Sequence, residues 1–275
     1  MSKSKNNSPS KGTALITGAS TGIGAVYADR LAKRGYDLIL VARNEARLMS
    51  LSSLLASETG RSVKALRADL NNKAELASVE SILREDPSIT MLVNNAGVTS
   101  VAPLLNADVE KMEDMIALNV TALTRLTYAA APAFVARSRG TIINIASIVG
   151  IAPERINGVY GASKAYVIAL SHSLQHELAD KGVRVQAVLP GATATDIWEL
   201  AGRPYQDLPA GIVMSAEDMV DAALVGLDQG ELVTIPPLHD GDEWTRFEAA
   251  RRALSEKFGN SEPAPRYRIS VPRSA

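Results

Sequence analysis

One stretch restricts the fold of this chain more than any other. Thr13–Ile16 is a short apolar run that leads into Thr17-Gly-Ala-Ser-Thr-Gly-Ile-Gly24, after which Ala25–Arg34 reads as a helix ending near Gly35. A strand, a glycine-rich turn and a helix in immediate succession let backbone rather than side chains hold a phosphate group. Gly18 permits a tight turn, Gly22 lets backbone approach a pyrophosphate, and Gly24 lets the helix pack closely on the strand. The start of the helix then offers free N–H groups and the positive end of its dipole.

The pattern repeats along the chain. Asp37–Val41 is unbroken and apolar after Asp37, as in a strand buried on both faces. Its end bears on the nucleotide. An acidic residue ~20 positions past the glycines would bond a ribose 2′-hydroxyl and favour NAD. Here the strand closes on Val41-Ala42-Arg43 with no carboxylate at its tip. The forked guanidinium of Arg43 suits a 2′-phosphate, so NADP(H) is favoured over NAD(H).

Glu45–Glu58 reads as a helix ending near Gly60, and Ser62–Leu66 as a third strand closing on Ala68-Asp69-Leu70. The helix Lys73–Glu85 is stopped by Asp86-Pro87, and Thr90–Val93 runs into Asn94-Asn-Ala-Gly97. Asp108–Val135 is a long helical stretch with Asn119 in its middle and Pro132 in its last turns. Thr141–Ala146 is a fifth strand with Ser147 at its carboxyl end. A helix to about Lys181 follows, and then Val183–Leu189, which ends in Pro190-Gly191. Ser215-Ala-Glu-Asp218 is a capping box opening a helix to about Leu227, and Leu232–Ile235 makes a seventh strand. Glu243–Lys257 is a further helix anchored by Trp244 and Phe247. Strands alternating with helices predict an α/β fold with a parallel sheet, and right-handed crossovers place helices on both faces in three layers. Ligands of such sheets bind beyond the carboxyl ends of the strands, where the glycine turn, Asn95, Ser147 and Pro190-Gly191 all fall.

Tyr160 and Lys164 are four residues apart on one helix, with Cβ atoms expected ~5–6 Å from each other. A phenol with a pKa near 10 transfers protons poorly at neutral pH, and bringing it to ~7 takes about 4 kcal/mol. An ammonium at ~4 Å supplies about that much at an effective dielectric near 20.

The other features set bounds. A net charge of −1 leaves no footprint for nucleic acid or an anionic membrane. The absence of cysteine removes disulfide and thiol chemistry, and no apolar run approaches the ~20 residues of a membrane-spanning helix. Residues 1–10 lack the apolar segment of a secretory signal and read as a frayed tail, which places the chain in the cytoplasm. Residues 11–258 read as one domain, and 259–275 as an extended tail carrying Arg266, Arg268 and Arg273. Within the domain, 196–229 forms a substrate region in which 196–215 reads as a lid. Trp198, Tyr205 and Trp244 line a pocket or simply pack. His172 and His176 are four apart without an evident third ligand, so no metal is expected.

In these motifs the chain resembles the short-chain dehydrogenase/reductase family from Lys11 to Ile235. The resemblance is carried by Thr17–Gly24, Asp69, Asn94–Gly97, Asn119, Ser147, Tyr160-x-x-x-Lys164 and Pro190-Gly191 with Thr195, all in the family's order. It implies a doubly wound, Rossmann-like parallel sheet of seven strands in the order 3-2-1-4-5-6-7. Tyr160 is then implied as proton donor to a carbonyl or base for the reverse reaction. Lys164 would hold the nicotinamide ribose and depress the Tyr160 pKa, Ser147 would bond the substrate oxygen, and Asn119 would hold a relay water. The cofactor would be lined by Gly18, Ser20, Thr21, Gly22, Ile23 and Gly24, by Arg43, and by Asp69 with Leu70 at the adenine. Asn95, Ala96 and Gly97 would line the adenosine ribose, and Pro190, Gly191 and Thr193 the nicotinamide end, with backbone near Thr193 fixing the carboxamide. Many NADP-preferring members carry a basic residue where this chain has Thr21, so Arg43 has to discriminate largely alone. The implied activity is an NADP(H)-dependent carbonyl reductase or alcohol dehydrogenase acting on a small molecule, as a homodimer or homotetramer. A non-catalytic nucleotide-sensing protein on the same fold is the competing reading, and the intact set of catalytic residue types speaks against it.

Overall fold

The computed structural model describes residues 9–267. Most of the expected amino-terminal tail, and Arg268 and Arg273 of the carboxyl-terminal one, lie outside them. Two compact units divide the chain, one ending at Pro237 and the other beginning at Leu238.

The first unit is built on strands β1 (Thr13–Thr17), β2 (Asp37–Ala42), β3 (Val63–Arg67), β4 (Ile89–Asn94), β5 (Gly140–Ile145) and β6 (Val183–Val188). Two further two-residue strands, β7 (Ala192–Thr193) and β8 (Val213–Met214), pair with each other in parallel. The last, β9 (Val233–Thr234), completes a seven-stranded parallel sheet in the order β3-β2-β1-β4-β5-β6-β9. This is the doubly wound order, with β9 as the seventh strand of the main sheet. The expected Leu232–Ile235 run shortens to two residues, and Pro236-Pro237, which cannot donate to a ladder, follow it closely.

The helices connecting these strands are α1 (Gly22–Lys33), α2 (Glu45–Thr59), α3 (Lys73–Glu85), α4 (Val109–Ile116), α5 (Leu123–Ala136), α6 (Gly158–Leu178), α7 (Ile197–Leu200) and α8 (Ala216–Gln229). Local chemistry explains their limits. The Asn72 side chain accepts from the Ala74 and Glu75 amides and starts α3. Ser215 Oγ accepts from the Asp218 amide at 2.9 Å, the bond expected of its capping box. Gly60 ends α2 in the left-handed conformation, with φ of 70°.

β1 is buried along its whole length, because helices cover both faces of the sheet. Tyr27, Leu31, Leu48, Val220 and Leu224 cover one face, while Leu83, Leu126, Phe134 and Leu174 cover the other. The stretch 196–229 therefore divides. Met219, Val220, Ala223 and Leu224 of α8 belong to the core, and the lid-like part is 196–215, with α7 and β8 inside it.

The long helix expected over Asp108–Val135 is not uniform. Residues 117–122 form a π-helical turn between α4 and α5, and Asn119 sits in it. Such turns insert an extra residue into an α-helix and shift backbone carbonyls off their usual donors. Pro132 stands within α5 without ending it.

The second unit contains α9 (Gly241–Ser255). Asp240 caps it by accepting from the Asp242 amide at 2.9 Å, and Trp244 stacks on Phe247 with centroids 5.2 Å apart. No helix among the described residues is long and apolar enough to cross a membrane.

Candidate active site

The carboxyl ends of β1, β4, β5 and β6 bring the site together. The turn after β1 is fastened on two sides. Its Ala19 amide donates to the Val41 carbonyl at 3.2 Å, which places Arg43 just beyond it, and Asn95 Nδ2 donates to the carbonyls of Thr17 at 2.9 Å and Gly18 at 3.2 Å. Thr17 Oγ1 accepts from the Asn95 and Ala96 amides, each at 3.0 Å. The Asn95 side chain thus serves the turn itself.

Gly18 adopts φ of 65°, which disfavours any larger residue. A Cβ on Gly24 would lie 2.3 Å from the Gly18 carbonyl oxygen, so helix and turn touch backbone to backbone. Thr21 leaves the first turn of α1 without a side-chain cap, and that turn carries no acidic residue. The cradle fits an anionic pyrophosphate, because its free N–H groups and dipole are uncompensated by protein charge. Ser20 and Ile23, in the turn and the start of α1, are half-buried, and Arg43 is exposed at the end of β2. Asp69 follows β3, where its amide donates to Glu75 at 2.6 Å and its carboxylate accepts from Asn71 at 3.0 Å, while Leu70 is buried beside it.

At the other end, Asn157 caps α6 by accepting from the amides of Val159 at 3.0 Å and Tyr160 at 3.3 Å. This fixes where the first turn of α6, and so Tyr160, begins. Lys164 lies one turn later, almost fully buried, and donates to the Ile145 carbonyl at 2.9 Å. Its Nζ stands 5.7 Å from the centre of the Tyr160 ring. Ser147, also buried, donates to the Pro190 carbonyl at 3.3 Å. Asn119 uses both ends of its amide on Val98, accepting from its N–H and donating to its carbonyl, each at 2.9 Å. It also donates to Ser163 Oγ at 3.2 Å. A Cβ on Gly97 would stand 3.0 Å from Asn119 Oδ1 and 3.6 Å from Lys164 Nζ. The spacings thus bring Asn119, Ser147, Tyr160 and Lys164 to one place.

Two proton affinities are displaced here. Part of Tyr160 reaches the surface, but its hydroxyl is desolvated, which pushes it up from 10.0 to about 12 against smaller opposing effects of the Ser147 and Thr99 hydroxyls. Burial likewise pulls Lys164 down from 10.5 to about 8. The expectation that Lys164 depresses the phenol therefore carries a condition. The two groups share the field of an ammonium only below about pH 8.

Sequence reasoning missed Thr99, whose buried Oγ1 faces the Tyr160 hydroxyl, and the cap Asn157. Asn157 immediately before a helix was a readable signal. Nothing in the sequence marks Thr99, since only the Asn119 clamp on Val98 places it.

Comparison with known proteins identifies the family and the fold. Residues 12–205 match the model of the short chain dehydrogenase family, and the chain belongs to that family of oxidoreductases. A short-chain dehydrogenase from Sphingobium yanoikuyae, solved in complex with NADPH, is 50% identical with a TM-score of 0.91, over 94% of this chain and 100% of that one. The bulky-bulky ketone specific alcohol dehydrogenase of Comamonas testosteroni is 44% identical with a TM-score of 0.86, over 93% of this chain and 98% of that one. The 3-oxoacyl-(acyl-carrier-protein) reductase of Escherichia coli is 34% identical over 82% of this chain and 94% of its own length.

The buried lysine has a consequence for stability. Its pKa is about 8 in the folded chain against 10.5 in the ordinary range. The unfolded chain therefore holds the proton more tightly, and folding stability rises with pH between these values. Below about 8 the cost of the buried ammonium is present in full. Lys164→Met removes this dependence. In urea unfolding, the stability of the wild type relative to the variant should rise by about 3 kcal/mol between pH ~7 and ~11. A gap independent of pH would contradict the assignment.

Proposed function

We propose that this protein is an NADP(H)-dependent oxidoreductase that transfers a hydride between the nicotinamide and a carbonyl or secondary-alcohol carbon, with Tyr160 as general acid or base. The observation that carries this reading is the desolvated Tyr160 hydroxyl, with Ser147 beside it and Lys164 Nζ 5.7 Å from its ring.

The nicotinamide, when bound, supplies or accepts the hydride. The chain's own residues handle the oxygen. In reduction, Ser147 Oγ donates to the carbonyl oxygen, and the Tyr160 O–H bond breaks as its proton passes to the alkoxide forming there. A phenol near 12 is fully protonated at neutral pH, the form a donor requires. It remains a stronger acid than an alcohol of pKa ~16, so the transfer runs downhill. Oxidation runs the same steps in reverse, with Tyr160 as the base that takes the alcohol proton. Lys164, protonated below about pH 8, stabilises the phenolate left behind and would hold the nicotinamide ribose. Asn119 keeps Val98 and Gly97 against that lysine, and displaced carbonyls of its π-helical turn would hold the relay water.

The choice of NADP(H) is supported by Arg43, exposed beyond a cradle that lacks protein anions, and by the NADPH complex of the Sphingobium relative. The ketone specificity named for the Comamonas enzyme makes a ketone with two bulky substituents the substrate class to try first. Assembly as a homodimer or homotetramer is supported by Ile116, Tyr128 and Tyr166, which are exposed on or beside helices α4, α5 and α6.

Oxidation of NADPH with a panel of bulky ketones tests the activity. Tyr160→Phe should lower turnover about 10²–10⁴-fold while NADPH binds as before, and undiminished turnover would overturn the mechanism. Arg43→Ala should weaken NADPH about 10–100-fold, the worth of a charge-assisted hydrogen bond, and leave NADH within about threefold. Equal losses for both cofactors would remove the 2′-phosphate from this position.

A further inference from the structure

Beyond β6 the chain passes Pro190-Gly191 and enters β7, only two residues long. Pro190 is held close to the catalytic set, since its carbonyl accepts from Ser147 Oγ at 3.3 Å and from the Ile148 amide at 3.1 Å. A hydride can reach the carbon whose oxygen Ser147 and Tyr160 hold only from a ring lying ~3–3.5 Å away. The carboxamide on such a ring carries one acceptor and two N–H donors, and the segment 190–193, held beside Ser147 through Pro190, is the backbone that would border it. That segment has to be rigid for the ring to be presented at one angle.

Its sheet pairing is meagre. The pair β7–β8 comprises Ala192 with Val213 and Thr193 with Met214, and the neighbouring Ala194 amide donates to the Met214 carbonyl at 2.9 Å. A two-residue ladder specifies its position weakly. Thr193 is nonetheless 4% exposed, and its carbonyl receives a side-chain bond: Trp198 Nε1 donates to it at 3.0 Å. The Thr195 hydroxyl reaches the same oxygen only at 3.4 Å, and Thr193 Oγ1 turns back to the Gly191 carbonyl at 3.3 Å. The indole is thus the shortest side-chain tie on this strand.

The turn that presents the indole is itself held. Asp196, at its start, pairs with Arg47 of α2 at 3.2 Å, and the Trp198 carbonyl accepts from the Arg203 amide at 3.0 Å. A tryptophan offers one donor and no acceptor, so it can fix a carbonyl but cannot replace one.

We propose that Trp198 is a positioning residue for the nicotinamide end of the cofactor, its indole N–H holding the Thr193 carbonyl and so setting the backbone against which the carboxamide docks. This rests on the reading of the site as an NADP(H) site. It also gives the lid-like stretch a task at the cofactor, through the turn that starts at Asp196.

Trp198→Phe keeps an aromatic ring and removes the donor. The test compares two ligands by calorimetry: NADP+, and adenosine 2′,5′-bisphosphate, which has the 2′-phosphate end and no nicotinamide. The variant should bind NADP+ about tenfold more weakly, as for one lost hydrogen bond, and adenosine 2′,5′-bisphosphate within about twofold of wild type. Retained binding of the second ligand also certifies that the variant is folded. Equal affinity of wild type and variant for both ligands would overturn the proposal. A parallel loss of both would do the same, because Trp198 would then support the fold at large. A wild type that binds neither ligand would overturn the NADP(H) reading itself, and the proposal with it.

Discussion

Desolvation of the Tyr160 hydroxyl and the Lys164 amine is the constraint on which the rest of the site depends. Burial raises one proton affinity to about 12 and lowers the other to about 8, so each group is driven toward its neutral form. A phenol kept protonated is ready to give a proton. A lysine near 8 still carries charge at neutral pH and can stabilise the phenolate that results. The surrounding polar groups bear on these two: Ser147 and Thr99 lower the phenol's rise, and the Ile145 carbonyl takes one of the three ammonium hydrogens.

The sheet makes that arrangement possible. Parallel strands buried on both faces end together, and at their carboxyl ends the chain leaves regular structure with its backbone groups free. Beneath the site a polar chain crosses the interior, in which Asn94 donates to Thr127 and to Asn144 Oδ1, and Asn144 donates to Ser171. This joins β4, β5, α5 and α6 by directional bonds where apolar packing alone would allow sliding. Tyr160 and Lys164 on α6 are thereby kept in register with Ser147, which follows β5.

Much of this was legible in the residues. The strand, turn and helix around Gly18–Gly24 announce themselves because backbone chemistry there tolerates few alternatives. The end of α3 at Glu85 was readable because a proline two residues on forbids continuation. The π-helical turn at Asn119 was not, since the apolar pattern runs through it and only the clamp on Val98 shows why the helix is interrupted. Thr99 was invisible for the same reason. The Arg47–Asp196 pair joins residues 149 positions apart, a distance at which local pattern carries no information. A spacing of four placed Lys164 beside Tyr160, but spacing says nothing of burial, which raises one proton affinity and lowers the other.

The central claim, that burial rather than the neighbouring charge governs Tyr160, is open to a direct spectroscopic measurement. Tyrosinate absorbance of the folded protein, with Tyr160→Phe as reference, isolates this one phenol from the other six tyrosines of the chain. Near pH ~10.5 an ordinary tyrosine is mostly ionised. With its pKa at about 12, Tyr160 should contribute almost no tyrosinate there, and wild type and variant should give the same absorbance. An excess in the wild type approaching one full tyrosinate would contradict the account.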